Sequence, residues 1–269
     1  MARRVALYAG LVLAAAVILL PVAWMVFTSV KPEADITGHP AQLLPQHLTA
    51  HNYREVTRQI PLARQLLNSV IFAGGVTLCS LVFNSMTAFA LARLDFPGKR
   101  ALFVAVILFL MIPYQVTLIP IYQIVAKLHL MNTFPGLIIP RATNAFGIFF
   151  LRQFFIGIPR SLDEAARIDG AGDWRIYARI ILPLSKPALL TIALFDFMFN
   201  WNDLLWPLIF TTSTKMETLP AGLALFMGQH VSQYGVVMAG ATLTTVPILV
   251  AFLFVQRKFI QGIATTGLK

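Results

Sequence analysis

The sequence predicts an all-α integral membrane protein with six transmembrane helices and both termini in the cytoplasm. Three observations lead there. Of the 269 residues, 58% are hydrophobic and only 12% charged, a composition that needs lipid as solvent. Six separate stretches are apolar over the length of a bilayer crossing. The cations fall mostly between those stretches rather than within them.

A helix rises about 1.5 Å per residue, so crossing a hydrocarbon core of roughly 30 Å takes about 20 apolar residues. The stretches that meet this run from Val5 to Thr28, Ile71 to Leu91, Ala101 to Ile119, Gly136 to Phe155, Pro187 to Phe210 and Val236 to Val255. The first follows Arg3 and Arg4 but is too long for a signal-peptide core and lacks a small-residue cleavage site, so it reads as a retained anchor. The chain thus divides into an anchor over 1–28, an external loop over 29–69, a five-helix core over 70–258 with a charged cytoplasmic loop over 156–186, and a tail over 259–269.

Orientation follows from the loop cations, which accumulate in the cytoplasm. With the N-terminus inside, only Lys31, Arg54, Arg58, Arg64, Lys127, Arg141 and Lys215 lie outside, leaving 14 of the 21 Lys and Arg inside. The formal charge of +10 is therefore mostly a topology signal, and nucleic acid is not an expected partner. Cys79 is the only cysteine and lies in an apolar run, which excludes a disulfide framework or a cysteine metal site.

The cytoplasmic loop reads IPRSLDEAARIDGAGDWRIYARIILPLSKP from Ile158. Ser161 and Glu164 are spaced as a capping box opening a short helix. Asp163 and Arg167 stand i, i+4 on it, and Leu162, Ala165 and Ala166 share a small apolar face. Gly170 can end it in the left-handed conformation. Asp173 is a candidate second cap, for a segment that Pro183 closes. Barely two turns of helix are not stable alone in water, which implies docking against another surface. Local physics leaves a second possibility open: Glu164 as a cap only, on a solvated connection.

These residues carry a resemblance. Glu164, Ala165, Ala166, Gly170, Ile180, Leu182 and Pro183 reproduce the pattern E-A-A-x3-G-x9-I-x-L-P, whose chance occurrence is about one in a million. The chain resembles permeases of binding-protein-dependent ABC importers. The runs LARLDFPGKR from Leu91, WNDLLWPL from Trp201 and FVQRKFIQGIATTGLK from Phe254 are similar to the carbohydrate-uptake branch, in particular the second permease of maltose, multiple-sugar and glycerol-3-phosphate systems. The resemblance implies a type I importer permease fold in a bacterial or archaeal inner membrane. It also implies a second permease, two cytoplasmic ATPase subunits that bind ATP and Mg, and an external solute-binding protein. Glu164, Ala165, Ala166 and Gly170 would then form the coupling helix held by an ATPase subunit. The tail from Gln256 would reach between the ATPases, and the loop from Thr211 to Tyr234 toward the binding protein.

Asp196 lies mid-span, where an ionised carboxylate costs roughly 2.5 to 3.5 kcal/mol on insertion scales, so it must face protein or water. At about 100° per residue, Asp196, Asn200 and Asp203 form one polar stripe. That stripe is a candidate translocation path, or else a helix interface. Trp201 and Trp206 are candidates for sugar stacking or for an interfacial aromatic belt. Asn84, Gln115 and Asn144 are also polar at membrane depth, and helix-to-helix hydrogen bonds account for each. Pro113, Pro120 and Pro140 permit bending or end helices.

No G-x-x-x-x-G-K-[ST] occurs, so no ATP cofactor is expected on this chain. His47 and His51 lack the glutamate of an H-E-x-x-H, so no metal is expected. No nucleophile elbow or carboxylate constellation points to an enzyme. An ion-coupled secondary transporter using Asp196 and a non-transporting membrane assembly subunit are the rival classes.

Overall fold

A computed structural model describes residues 2–229, 233–247 and 249–250. The described chain is built of helices, α1 being Ala2–Ser29, α2 Glu33–Gly38, α3 His51–Gln59 and α4 Leu62–Arg93. After them come α5 Lys99–Leu110, α6 Tyr114–Lys127, α7 Phe134–Ile138, α8 Ala145–Ile156 and α9 Ser161–Ile168. A helical stretch Asp173–Leu184, with a wide π-type turn over Tyr177–Ile181, is α10; α11 is Lys186–Trp201, α12 Leu205–Phe210 and α13 Leu219–Gln229. Residues 234–247 form α14.

Two helices, α1 and α4, are by themselves long and apolar enough to span a bilayer; three bent pairs, α5 with α6, α7 with α8, and α10 with α11, reach the same length together. The expected third span is therefore not straight. It breaks at Met111 to Pro113, and α5 and α6 meet at 102°. Pro113 has no N–H to continue the ladder and fixes an extended approach to α6. The expected fifth span ends as a helix at Trp201, and a turn at Asn202 to Leu204 precedes α12. The sixth extends beyond the described residues, and the tail from Gln256 lies outside them.

Helix α4 is the axis. Its 32 residues extend about 48 Å, beginning nine residues before the expected span at Ile71. Ser69, Ala73, Thr77, Ser80, Asn84 and Ala88 are buried along it at spacings of three and four, a face of small side chains that lets neighbouring backbones approach closely. At its C-terminal end, expected to be the cytoplasmic one, Ala88, Phe89 and Ala92 pack with Leu151 and Phe155 of α8, Ile176, Tyr177 and Ile181 of α10, and Ile192 of α11. At its external end Ala73 joins Val56, Trp201, Leu219, Leu223 and Phe226, while Phe72 and Val76 join Val125, Leu137, Trp206 and Phe210.

The external loop is folded onto this end. Asn52 donates to the Ser29 and Lys31 carbonyls, each at 2.9 Å, and the Glu33 carboxylate accepts the Tyr234 and Gly235 N–H groups at 3.0 Å, capping the start of α14. The segment expected to be the last external loop contains α13, with Leu219, Ala221 and Leu223 buried. Ser69 Oγ accepts from the Leu219 N–H at 2.7 Å and so caps it.

Candidate functional site: a midmembrane cavity and an exposed cytoplasmic helix

Between the two apolar ends of α4 lies a polar band. Asp196 of α11 accepts a hydrogen bond from Ser80 Oγ and another from Asn144 Nδ2 at 3.2 Å. Asn84 donates to Ser80 at 2.9 Å and accepts from Thr143 Oγ1 at 2.7 Å and from the Asn144 N–H at 3.1 Å. Asn144 is also the N-cap of α8, accepting from the Gly147 N–H at 2.7 Å. Buried polar groups in lipid need such partners. Asn84 and Asn144 thus bond between helices as expected, whereas Gln115 is exposed.

Asp196 and Asn200 line a cavity of about 500 Å³, together with Tyr114, Thr117, Arg141, Asn144, Phe199 and Trp206. Asp203 is not on the same helical stripe, because α11 has ended before it. It forms an ion pair with Arg141 and accepts the Trp206 N–H at 3.1 Å. The Arg141 guanidinium, counted above only as an external loop cation, lies 5.0 Å from the Trp206 ring and 5.3 Å from that of Phe199. Cations over ring faces are attracted by the quadrupole. A pair so far apart in sequence leaves no periodic signal, which is why Arg141 escaped notice.

The two tryptophans separate. Trp206 borders the cavity and donates through Nε1 to the Leu137 carbonyl at 3.1 Å. Trp201 is buried in the external core, stacked on Phe197 with centroids 5.6 Å apart. With exposures of 3% and 2%, Trp201 and Trp206 form no interfacial belt within this chain, and Trp201 offers no open ring face for stacking.

In the loop expected to be cytoplasmic, α9 forms as a discrete helix, but without the capping box. Arg160 is already helical at φ −67°, ψ −23°, and its carbonyl accepts the Asp163 and Glu164 N–H groups, so Ser161 sits inside the first turn. A capping residue needs an extended backbone, which the helical entry at Arg160 removes. Asp163 and Arg167 do not pair with each other. Asp163 pairs with Arg93 at 3.2 Å and Arg167 with Asp173 at 2.8 Å. Asp173 is the first residue of α10, preceded by Gly172 at the cap. Pro183 sits in the final turn of α10, which ends one residue later.

The end of α9 is as expected. Gly170 has φ +79°, its N–H donates to the Arg167 carbonyl at 3.0 Å, and the Ala171 N–H donates to the Ala166 carbonyl at 2.8 Å, which is a Schellman closure. Glu164 and Ala165 are exposed; Leu162 is 41% and Ile168 87% exposed. Ile180 and Leu182 instead pack against the cytoplasmic core. Glu164 and Ala165 therefore face out, while Ala166 packs inward against the same core that Ile180 and Leu182 anchor. The Glu164 carboxylate has no side-chain partner among the described residues, so its spacing is not used for capping.

The model of the family described as binding-protein-dependent transport system inner membrane component matches residues 67–265. A permease protein of the arabinooligosaccharide transport system of Halalkalibacterium halodurans is 35% identical over 263 residues, 97% of this chain and 94% of the relative. A permease protein of the trehalose transport system of Mycobacterium tuberculosis is 37% identical over 255 residues, 93% and 92% of the two chains. One of the sn-glycerol-3-phosphate transport system of Escherichia coli is 32% identical over 261 residues, 94% and 93%. Among solved structures, a bacterial ABC transporter involved in the import of the acidic polysaccharide alginate superposes with a TM-score of 0.83 at 25% identity, covering 96% of this chain and 97% of that one. The helices, the outward-facing Glu164 and Ala165 and these matches agree: the chain belongs to the family of binding-protein-dependent transport system inner membrane components, the permeases of ABC importers.

Proposed function

We propose that this chain is one of two permease subunits forming the translocation path of an ATP-driven importer for a sugar or sugar-like solute. Sugars are the cargo named for the arabinooligosaccharide and trehalose relatives. In this reading the chain crosses the inner membrane six times with both ends inside. Two ATPase subunits bind ATP and Mg, and an external binding protein delivers the solute. The observation that carries the proposal is the outer face of α9: its inner face is held by Arg93 of its own chain, yet Leu162 and Ile168 stay exposed beside Glu164 and Ala165, an apolar surface for a partner to cover. Gly170 ends α9, and Ile180, Leu182 and Pro183 lie in α10, where the first two pack against the core. The cavity bordered by Asp196, Asn200 and Trp206 supports a place for solute passage, with Asp203 holding Arg141 at its wall and Trp201 supporting it from the core.

Copurification tests this. The chain, solubilised with its co-expressed neighbours, should bring down an ATPase subunit, and Glu164→Lys should lose at least tenfold of it while inserting normally. Equal recovery with both chains would remove Glu164 from the contact, and no ATPase with either would overturn the importer assignment of α9.

A further inference from the structure

One guanidinium joins three elements at the cytoplasmic end. Arg93 is the last residue of α4 and is 7% exposed. Its Nη2 donates to the carbonyls of Phe155, at the end of α8, and Ile158, just beyond it, both at 2.7 Å. Its Nη1 meets Asp163 Oδ2 of α9 at 3.2 Å, and Asp163 is itself only 9% exposed. The other ionic link of α9, Arg167 with Asp173, has both side chains more than half exposed. Solvent and salt screen that exposed pair, whereas the buried one keeps its strength.

The position of Asp163 matters. It lies on the inner face of α9, one residue before Glu164, whose carboxylate points outward. Any force that an ATPase subunit applies to the outer face of α9 therefore reaches Asp163 directly. From there it passes to the C-terminal end of α4, whose middle carries Ser80 and Asn84 of the polar band. The polar contact is made at a single point, beside the small Ala166 packed on the core: Arg93 Nε and Asp163 Oδ1 have no hydrogen-bond partner among the described residues. A one-point contact lets α9 tilt while staying attached. The backbone connects α9 to α8 through residues 157–160 and to the wide turn of α10 through Ala171 and Gly172, so neither covalent route runs to α4 itself.

We propose that the Arg93–Asp163 pair is the tether through which movement of α9 is delivered to α4, making both residues positioning residues for transport. The proposal rests on the docking of α9 against an ATPase described above.

The test uses the full complex with its co-expressed neighbours and reads the cavity rather than solute uptake. In a Cys79→Ser background, Thr117→Cys places a thiol at the cavity wall, and its labelling rate by N-ethylmaleimide is measured with and without MgATP and vanadate. The complex that keeps Arg93 and Asp163 should retain the ATPase and change its labelling rate at least fivefold on nucleotide. Asp163→Asn should retain the ATPase and lose that response. Because Asp163→Asn leaves Arg93 as a buried unpaired charge, a second variant, Arg93→Met with Asp163→Leu, removes both charges and refills the volume, a replacement that proteins often tolerate. It should insert normally, hold the ATPase and likewise not respond. A normal response in either variant with the ATPase bound would overturn the tether and leave the docking of α9 intact. Failure of both variants to reach the membrane would make the pair a folding element and overturn the proposal. No ATPase with the unaltered pair would remove the docking itself, and a bound ATPase with no labelling response there would show that movement of α9 does not reach the cavity.

Discussion

At the scale of single residues, the polar band is held by close approach as much as by hydrogen bonds. A Cβ added to Gly147 would clash with Asn84 Nδ2 and lie 3.1 Å from Asn144 Oδ1. Neither amide is free to move, since Asn84 is held by Ser80, Thr143 and the Asn144 backbone. Gly147→Ala is therefore expected to destabilise the chain by about 1–3 kcal/mol, the usual cost of overpacking, as read from thermal melting in detergent. Outside the membrane, Glu217 accepts from Gln65 Nε2 at 3.1 Å, and burial pushes its carboxyl above the usual glutamate range, with that hydrogen bond opposing the shift. The sign follows: the folded chain holds the proton more tightly than the unfolded one, so the stabilisation is complete below the ordinary glutamate pKa of about 4.3 and is lost as pH rises through the raised value. Glu217→Gln should flatten that dependence, and melting temperatures taken between pH 4 and 7 on both chains would reveal it. Sequence reasoning found Asp196, Asn84 and Asn144, because a polar residue in an apolar run stands out. It missed Arg141 and Arg93, because a cation near a span end has a sufficient explanation in membrane topology, and only the fold reveals that Arg141 meets Asp203 and Arg93 meets Asp163.

At the scale of elements, what sequence could read depended on whether the signal was local. The left-handed closure of α9 at Gly170 is local, and it is present with both of its hydrogen bonds. The capping box is also a local pattern, yet it failed, because Pro159 and Arg160 bring the chain into helix one residue early. The 102° break between α5 and α6 lay within a run that hydropathy alone reads as one span, with Pro113 as its only mark. At Gly170 the positive φ strains any side chain, and carboxylates repelled by the carbonyl end of a helix fare worse than most. Gly170→Asp should therefore insert normally but loosen α9. ATPase activity would continue without uptake in reconstituted vesicles, where Gly170→Asn, which tolerates the left-handed region better, should keep at least several-fold more coupled transport. Equal coupling in both would remove the backbone conformation of Gly170 from the mechanism.

At the scale of the whole molecule, the structure places two apolar cores at opposite ends of α4 with the polar band between them. From Ala73 in the external core to Ala92 in the cytoplasmic one the helix rises about 28 Å, close to the hydrocarbon thickness, and Ser80 and Asn84 fall between. Each end is thus packed tightly at one membrane face, while the middle is held by hydrogen bonds to Asp196 and opens into the cavity. This arrangement suits a chain whose two ends receive different partners. Because the loop over 29–69 and α13 share one core while α9 and α10 lie at the other, a single orientation assigns both ends at once. Labelling with a membrane-impermeant maleimide in a Cys79→Ser background tests it. Leu48→Cys, at a position 77% exposed in the folded external loop, should react in intact spheroplasts. Ile168→Cys, at a position 87% exposed on α9, should react only in inverted vesicles. Reaction of Ile168→Cys from outside would put α9 beyond the reach of any cytoplasmic ATPase and would invert the orientation deduced from the loop cations.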